Sequence, residues 1–359
     1  NLQNLNVLHI IGNDSLAYLP ESIGNLQNLT SLDLSFLPSL RGLPNSILNL
    51  PPTCTVYLTG TPLAPEILRR LQRATEEPNY RGPRFSFSMT FAQGSFGSKS
   101  LNEYLEVILR SIQKTDTTFT FINHLEESKK EKLRQWLEKL EYPNAHKNTD
   151  CPLYQALFNI FTLADKEESF RGVFLQILEE ATETCPDRAS LYLLQMGIMR
   201  EKMALQDKSA PQVWDVLRQC WIIDLLTTCA RNKIPHLKFF DEIEVYLGYP
   251  VKLKEALGLS LLDGISMLFF GCSGLTQKDL DTAKEFVDAT IKNEENRINY
   301  LLKQKEWLEF LEKNYPREYD EAQALKEAYK NNSNDEGYTQ AETILKKITK
   351  QALGTIVSA

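Results

Sequence analysis

Apolar positions in the first sixty residues return on a fixed step. Asn1-Leu2-Gln3-Asn4-Leu5 reappears 24 positions later as Asn25-Leu26-Gln27-Asn28-Leu29, and Asn49-Leu50 opens a third unit. Leu8, Leu32 and Val56 fall in register, as do Ile10, Leu34 and Leu58. Leu19-Pro20 matches Leu43-Pro44, and Ile23 matches Ile47. A unit this short can bury its apolar face only against the next one, so the spaced leucines predict a stacked core. The polar positions between them, Asn6, His9, Thr30, Asp33 and Thr55, are candidate partner contacts on the strand face.

The repeat resembles the leucine-rich repeat, whose units run about 20–29 residues with a strand at LxxLxL. Two and a half units fall short of the three or more that such a solenoid needs, so the array is expected to be truncated from a longer one. Pro62 to Gln72 then places Leu63, Ile67, Leu68 and Leu71 at helical spacing and reads as an end cap. Residues 76–100 are rich in Gly, Ser and Pro, with Phe85, Phe87, Met89, Phe91 and Phe96 interleaved, and read as a linker whose aromatics dock on a neighbour.

From Leu101 the period becomes helical. Leu133, Trp136, Leu137 and Leu140 share one face, and similar stretches start near Tyr154, Phe170, Pro186, Val213, Phe239, Lys278, Arg297, Pro316 and Gln340. Asn331 to Gly337 reads as a polar loop before the last of these. The expected fold is therefore α+β and multi-domain. A short leucine-rich-repeat solenoid with its cap (1–75) and a linker (76–100) precede a large all-α domain (101–359).

Composition narrows the function classes. The 359 residues carry a net charge of −7, which disfavours a nucleic-acid partner. No apolar run approaches the roughly 18 residues of a membrane span. The chain opens at Asn1 without Met or a signal-like segment, so any targeting sequence is expected to have been removed. The six cysteines (54, 151, 185, 220, 229, 272) form no CxxC, which leaves zinc-ribbon and RING-type sites unsupported and no metal or cofactor expected. Reduced thiols are the simplest reading. A Cys–His hydrolase would have to recruit His9, His124, His146 or His236 in space.

Among the cysteines, Cys185 has the most suggestive neighbours. Pro186 suits the first position of a helix and pushes Cys185 out of helical geometry, which puts the thiol at a helix cap. Thr184 and Asp187 have the spacing of a capping box. Exposed N–H groups and the positive end of the helix favour thiolate there, by about 0.3–1 kcal/mol. Asp187 opposes this, since like charge disfavours the thiolate. A carboxylate beside a thiol is better suited to receive a proton from an incoming amine, or to orient it. By spacing alone, a helix cap with an incidental cysteine is the competing reading. In Phe239-Phe240-Asp241-Glu242-Ile243-Glu244-Val245-Tyr246-Leu247, Asp241 and Glu244 share one side, and Glu242 and Tyr246 are four apart. These acids can form a solvated face, support the cysteine or meet a basic partner.

With those residues in view, the chain resembles the NEL ("novel E3 ligase") family of bacterial type III effectors, the IpaH-type ubiquitin ligases. The likeness spans residues 85–352. It rests on Phe87-Ser88-Met89, Trp136-Leu137-Glu138-Lys139-Leu140, Cys185-x-Asp187-Arg188 and Ala230-Arg231-x-Lys233. The acidic block above, Phe270-Gly271-x-Ser273-Gly274-x-Thr276, Asp279-Leu280 and the Trp307 region complete it. The resemblance implies an E3 ubiquitin ligase needing no cofactor. A ubiquitin-charged conjugating enzyme (E2) passes ubiquitin to Cys185 as a thioester, and a lysine of a host substrate chosen by the repeats receives it. Cys185 fits the family's nucleophile and Asp187 its CxD carboxylate. Arg188, Asp241, Glu242, Glu244 and Tyr246 fall in shared blocks as candidate supporting residues. It further implies secretion by the bacterium, action in the host cytoplasm, and repeats able to restrain the ligase domain. Pro186 in the middle of CxD and repeats of the longer LPxSIGNLxNL type depart from the family pattern and leave substrate, host and regulation open. A non-catalytic adaptor is the alternative reading.

Overall fold

The computed structural model describes residues 2–88, 99–141, 152–182, 185–329 and 336–357. Five short strands make one parallel sheet, with spatial order equal to chain order: β1 (Val7–His9), β2 (Ser31–Asp33), β3 (Thr55–Leu58), β4 (Arg84–Phe87) and β5 (Phe239–Asp241). Val7 pairs with Ser31 and Ser31 with Thr55, so the sheet advances by one sequence period per strand. Two 3-10 turns, Glu21–Asn25 and Asn45–Asn49, recur on the same step. Leu29, Leu32, Leu34, Leu37, Leu40 and Ile47 are fully buried between the stacked units. A side chain in the next unit is their only way out of water, which is the reason the period exists.

Two strands lie where the sequence indicates none. β4 falls inside residues 76–100, read above as a linker, and β5 falls inside the segment read as all helix. Four and three residues are too few to set up a visible alternation, and Phe239-Phe240 joins smoothly onto the apolar helix pattern that follows. Arg84 fastens the two strands together. Its Nε donates to the Leu237 carbonyl at 2.8 Å and its NH2 to the Ile234 carbonyl at 2.5 Å, while its guanidinium lies 5.3 Å from the Phe240 ring centroid. Phe85 and Phe87 join the buried core of the repeats. Met89, Phe91 and Phe96 lie outside the described residues.

The cap reading corresponds to α1 (Pro65–Glu76). The helical region then runs through α2 (Leu101–Ser111), α3 (Thr120–Asn123), α4 (Glu127–Glu141), α5 (Pro152–Lys166), α6 (Glu168–Ala181), α7 (Pro186–Met203) and α8 (Ala210–Lys233). It continues with α9 (Glu242–Leu257), α10 (Gln277–Lys292), α11 (Glu294–Leu301), α12 (Lys305–Asn314), α13 (Pro316–Tyr329) and α14 (Glu336–Val357). The polar stretch from Asn331 lies outside the described residues up to 335, and its last two residues begin α14. Among the described residues, no helix is long and apolar enough to cross a membrane.

The helices bury three further apolar clusters. α7 lies between two of them. Ala189, Leu193 and Met196 face the cluster built on Trp136, Phe161 and Phe174, and Leu194 faces the one built on Ile222, Val245 and Leu262. A helix covered on both sides has little freedom to tilt, so the residue that caps it is held firmly.

Candidate active site

Cys185 is the N-cap of α7, in extended backbone geometry, and its Sγ accepts the Arg188 N–H at 3.4 Å. Pro186 follows at the position where a missing N–H costs nothing. Thr184 lies outside the described residues. The Asp187 carboxylate is bound by the segment after α9. Its Oδ1 accepts the Leu268 N–H at 2.8 Å, and its Oδ2 accepts those of Leu268 and Phe269, each at 2.9 Å. Asp187 is fully buried, and these bonds satisfy its oxygens there. They also pin the segment after α9 to the first turn of α7. That segment is aimed by Gly264 at φ +83, where an added Cβ would stand 2.7 Å from the Leu153 backbone.

The acidic block arrives from the opposite side. β5 delivers Asp241 to the N-cap of α9, where its Oδ1 accepts the Ile243 N–H at 3.0 Å. One helical turn on, Glu244 projects the same way. Cys185 Sγ and one carboxylate oxygen each from Asp241 and Glu244 lie within 4.8 Å of one another, and all three residues are fully buried. As a carboxylate, Glu244 finds no donor for either oxygen. As a carboxylic acid, it has Asp187 beside it to accept the proton. Burial, then the Asp187 and Asp241 charges, push it up to about 11, so it is neutral at physiological pH.

The electrostatic expectation for the thiol is overturned by magnitude. Burial, then Asp241 and Glu244, with a smaller push from Asp187, raise Cys185 to about 12, against which the Arg188 N–H is a minor opposing influence. A helix end supplies less than one pKa unit, and removal from water beside carboxylates supplies more. Alkylation of Cys185 by a haloacetamide is therefore expected to rise about tenfold per pH unit between about pH 7 and pH 10. Mass spectrometry of the Cys185 peptide measures this. A plateau near about 8.5, where ordinary thiols titrate, would refute the assigned environment.

Not every candidate joins the cluster. Glu242 is exposed, and half-buried Tyr246 packs on the apolar cluster of α8 and α9. Arg188 reaches the sulfur through its backbone. The groups that shift Cys185 include no histidine. His9, His124 and His236 are exposed, and His146 lies outside the described residues, as does Cys151. Of the candidate contacts on the strand face, Thr55 is buried, whereas Asn6, His9 and Thr30 are exposed.

Two residues with no assigned role in the sequence reading belong to the site. Lys139, on α4, donates to the Thr182 carbonyl, and burial lowers it to about 8 while Cys185 pulls upward. Cys272 is raised to about 12 by burial and then by Asp241, Glu244 and Asp187. Both sit in blocks quoted above, but nothing in those blocks indicates which distant helix they meet.

Fold and site together define a helical domain with a cysteine–carboxylate centre at a helix cap. Residues 114–318, more than half of the chain, match the family described as C-terminal novel E3 ligase, LRR-interacting, and the chain belongs to that NEL family. It is 29% identical over 245 residues to E3 ubiquitin-protein ligase ipaH9.8 of Shigella dysenteriae, covering 67% of this chain and 45% of the relative. It is 29% identical over 249 residues to E3 ubiquitin-protein ligase ipaH3 of Shigella flexneri, covering 68% and 43%. The probable E3 ubiquitin-protein ligase ipaH4.5 of Shigella flexneri matches at 29% over 248 residues, covering 68% and 43%. The chain spans less than half the length of these curated relatives.

Proposed function

We propose that this chain is an E3 ubiquitin ligase that carries ubiquitin as a thioester on Cys185. The observation that carries the reading is the Cys185–Asp187 pair on the first turn of α7, in a chain of the NEL family. Relatives named E3 ubiquitin-protein ligases support it. Once uncovered, Cys185 gives its S–H proton to solvent, and the thiolate attacks the carbonyl carbon of a ubiquitin–E2 thioester. A new S–C bond forms, the old one breaks, and the E2 thiolate leaves. A substrate lysine then attacks the same carbon. An isopeptide C–N bond forms, the Cys185 thiolate leaves, and the amine proton passes to Asp187.

Neither step can run with the thiol buried. Loading therefore requires Cys185 to be uncovered. Burial and the Asp241 carboxylate keep the sulfur protonated until then. Residues 1–75 serve as a leucine-rich-repeat solenoid that selects a host protein, 76–100 connect, and 101–359 form the ligase domain. Secretion from a bacterium into host cytoplasm, ubiquitin, the charged E2 and a host substrate follow from the same reading.

The test mixes the full chain with ATP, ubiquitin-activating enzyme, a panel of E2 enzymes and ubiquitin. A chain–ubiquitin adduct that reducing agent removes is the expected result, and no adduct with any E2 refutes the reading. Asp187→Asn is expected to slow discharge to lysine by about 100-fold, with a far smaller effect on loading, as followed by single-turnover gels. Equal loss of both steps would leave Asp187 as an anchor for the segment only. The sealed thiol favours a second reading, an adaptor that binds host protein and transfers nothing. Tight partner binding without any ubiquitin adduct would select it.

A further inference from the structure

Asp187 and Glu244 are two fully buried carboxyls in hydrogen-bond contact, and the donors around them divide unequally. Asp187 takes three N–H contacts from Leu268 and Phe269. Glu244 takes none at either oxygen. It stands three residues past Asp241, the N-cap of α9, where an acid commonly turns back to bond the N-cap N–H. Here the side chain forgoes that local bond and reaches across to the first turn of α7. N–H donors favour the ionised form of the carboxyl they reach, and a like charge beside it disfavours a second ionisation. The one proton of the pair therefore resides on Glu244, and its O–H donates to Asp187. Cys185, Asp241 and Cys272 also face Glu244, and none of them offers a positive charge that would draw the proton away.

We propose that Glu244 is a positioning residue for the transfer step, a neutral acid whose O–H holds the Asp187 carboxylate ready for the proton of the attacking amine. The role rests on the ligase reading. An ionised group at position 244 would repel Asp187, and a side chain without a donor would leave that carboxylate free to turn. In discharge the amine N–H bond breaks and its proton passes to Asp187. The C–N bond forms, the C–S bond breaks, and Glu244 keeps its own proton throughout. Glutamine is the isosteric probe, because its amide N–H donates where the acid O–H does and it cannot ionise.

The full chain is examined at pH 7 by infrared difference spectroscopy, wild type against Glu244→Gln. A protonated-carboxyl band present in wild type and missing from the variant is expected, and a purely structural side chain would not give it. In single-turnover discharge to free lysine, Glu244→Gln should keep the wild-type rate within about threefold, while Glu244→Ala should slow it at least about tenfold. Loading of Cys185 should change far less in either variant. No protonated-carboxyl band overturns the proposal. So does a Gln variant as slow as Ala, or an Ala variant at the wild-type rate. Should Glu244→Ala fail to fold, the band and the Gln variant decide. A wild type that loads ubiquitin without the band sinks the role and keeps the ligase. A wild type that no E2 loads sinks the ligase reading and the role with it.

Discussion

Cys185→Ala is expected to abolish both the reducing-agent-sensitive ubiquitin adduct and transfer to substrate, as read on non-reducing gels with a charged E2. Cys272 is raised to about 12, as Cys185 is, but it sits in a 3-10 turn and not at the cap of α7 beside Asp187. Loss of the sulfur removes one weak hydrogen bond, that from the Arg188 N–H, which contributes about 1 kcal/mol or less. The variant should therefore melt close to wild type, and an unchanged circular dichroism transition would make the loss chemical rather than structural. Cys185→Ser sharpens the test. An alcohol is a poorer nucleophile but can trap ubiquitin as an oxyester that reducing agent does not cleave. Ubiquitination by Cys185→Ala at the wild-type rate would remove the thioester mechanism altogether.

Trp136→Ala is expected to be the most destabilising single substitution near the site, by about 3–5 kcal/mol. Trp136 is fully buried on α4, and its Nε1 donates to the Ala189 carbonyl at 3.3 Å. Its ring meets Phe174 edge-on at 6.0 Å between centroids. That hydrogen bond lands in the first turn of α7, four residues past the thiol, so the indole fixes the turn that carries Cys185 and Asp187. Truncation leaves a cavity and an unpaired carbonyl together. Thermal unfolding should shift downward on the order of 10 °C. Trp136→Phe should recover most of the stability, since it refills the space and loses only the donor. A shift of less than about 1 kcal/mol in Trp136→Ala would mean that the indole is not the wedge between α4 and α7.

How much of this the sequence disclosed depended on whether a feature is local. The repeat step is written in Leu8, Leu32 and Val56, and the strand pairings advance by the same step. The position of Cys185 at a helix cap follows from Pro186, because proline acts on its immediate neighbours. The sulfur's environment could not be read the same way. Its two nearest carboxylates sit more than fifty residues downstream, and burial outweighs the helix end that the sequence displays. Asp187 likewise has a local meaning, a capping partner for Thr184, which says nothing of the Leu268 and Phe269 N–H groups that it accepts from 81 and 82 residues on. β5 escapes a sequence reading because its one strand partner, β4, lies 150 residues away along Arg84 and Ile234, and β4 itself is a four-residue strand seated between β3 and β5.

The ladder from Val7 to Asp241 is unbroken, and its two ends are unlike. At β1 it finishes on a repeat unit, where another unit of the same pattern would seat without altering anything already paired. At β5 it finishes on Phe87 opposite Asp241, one residue before the helix that carries Glu244. Growth or loss of repeats is thus a change at the terminus farthest from the sulfur. The array can lengthen or shorten while the carboxylates around Cys185 keep their places.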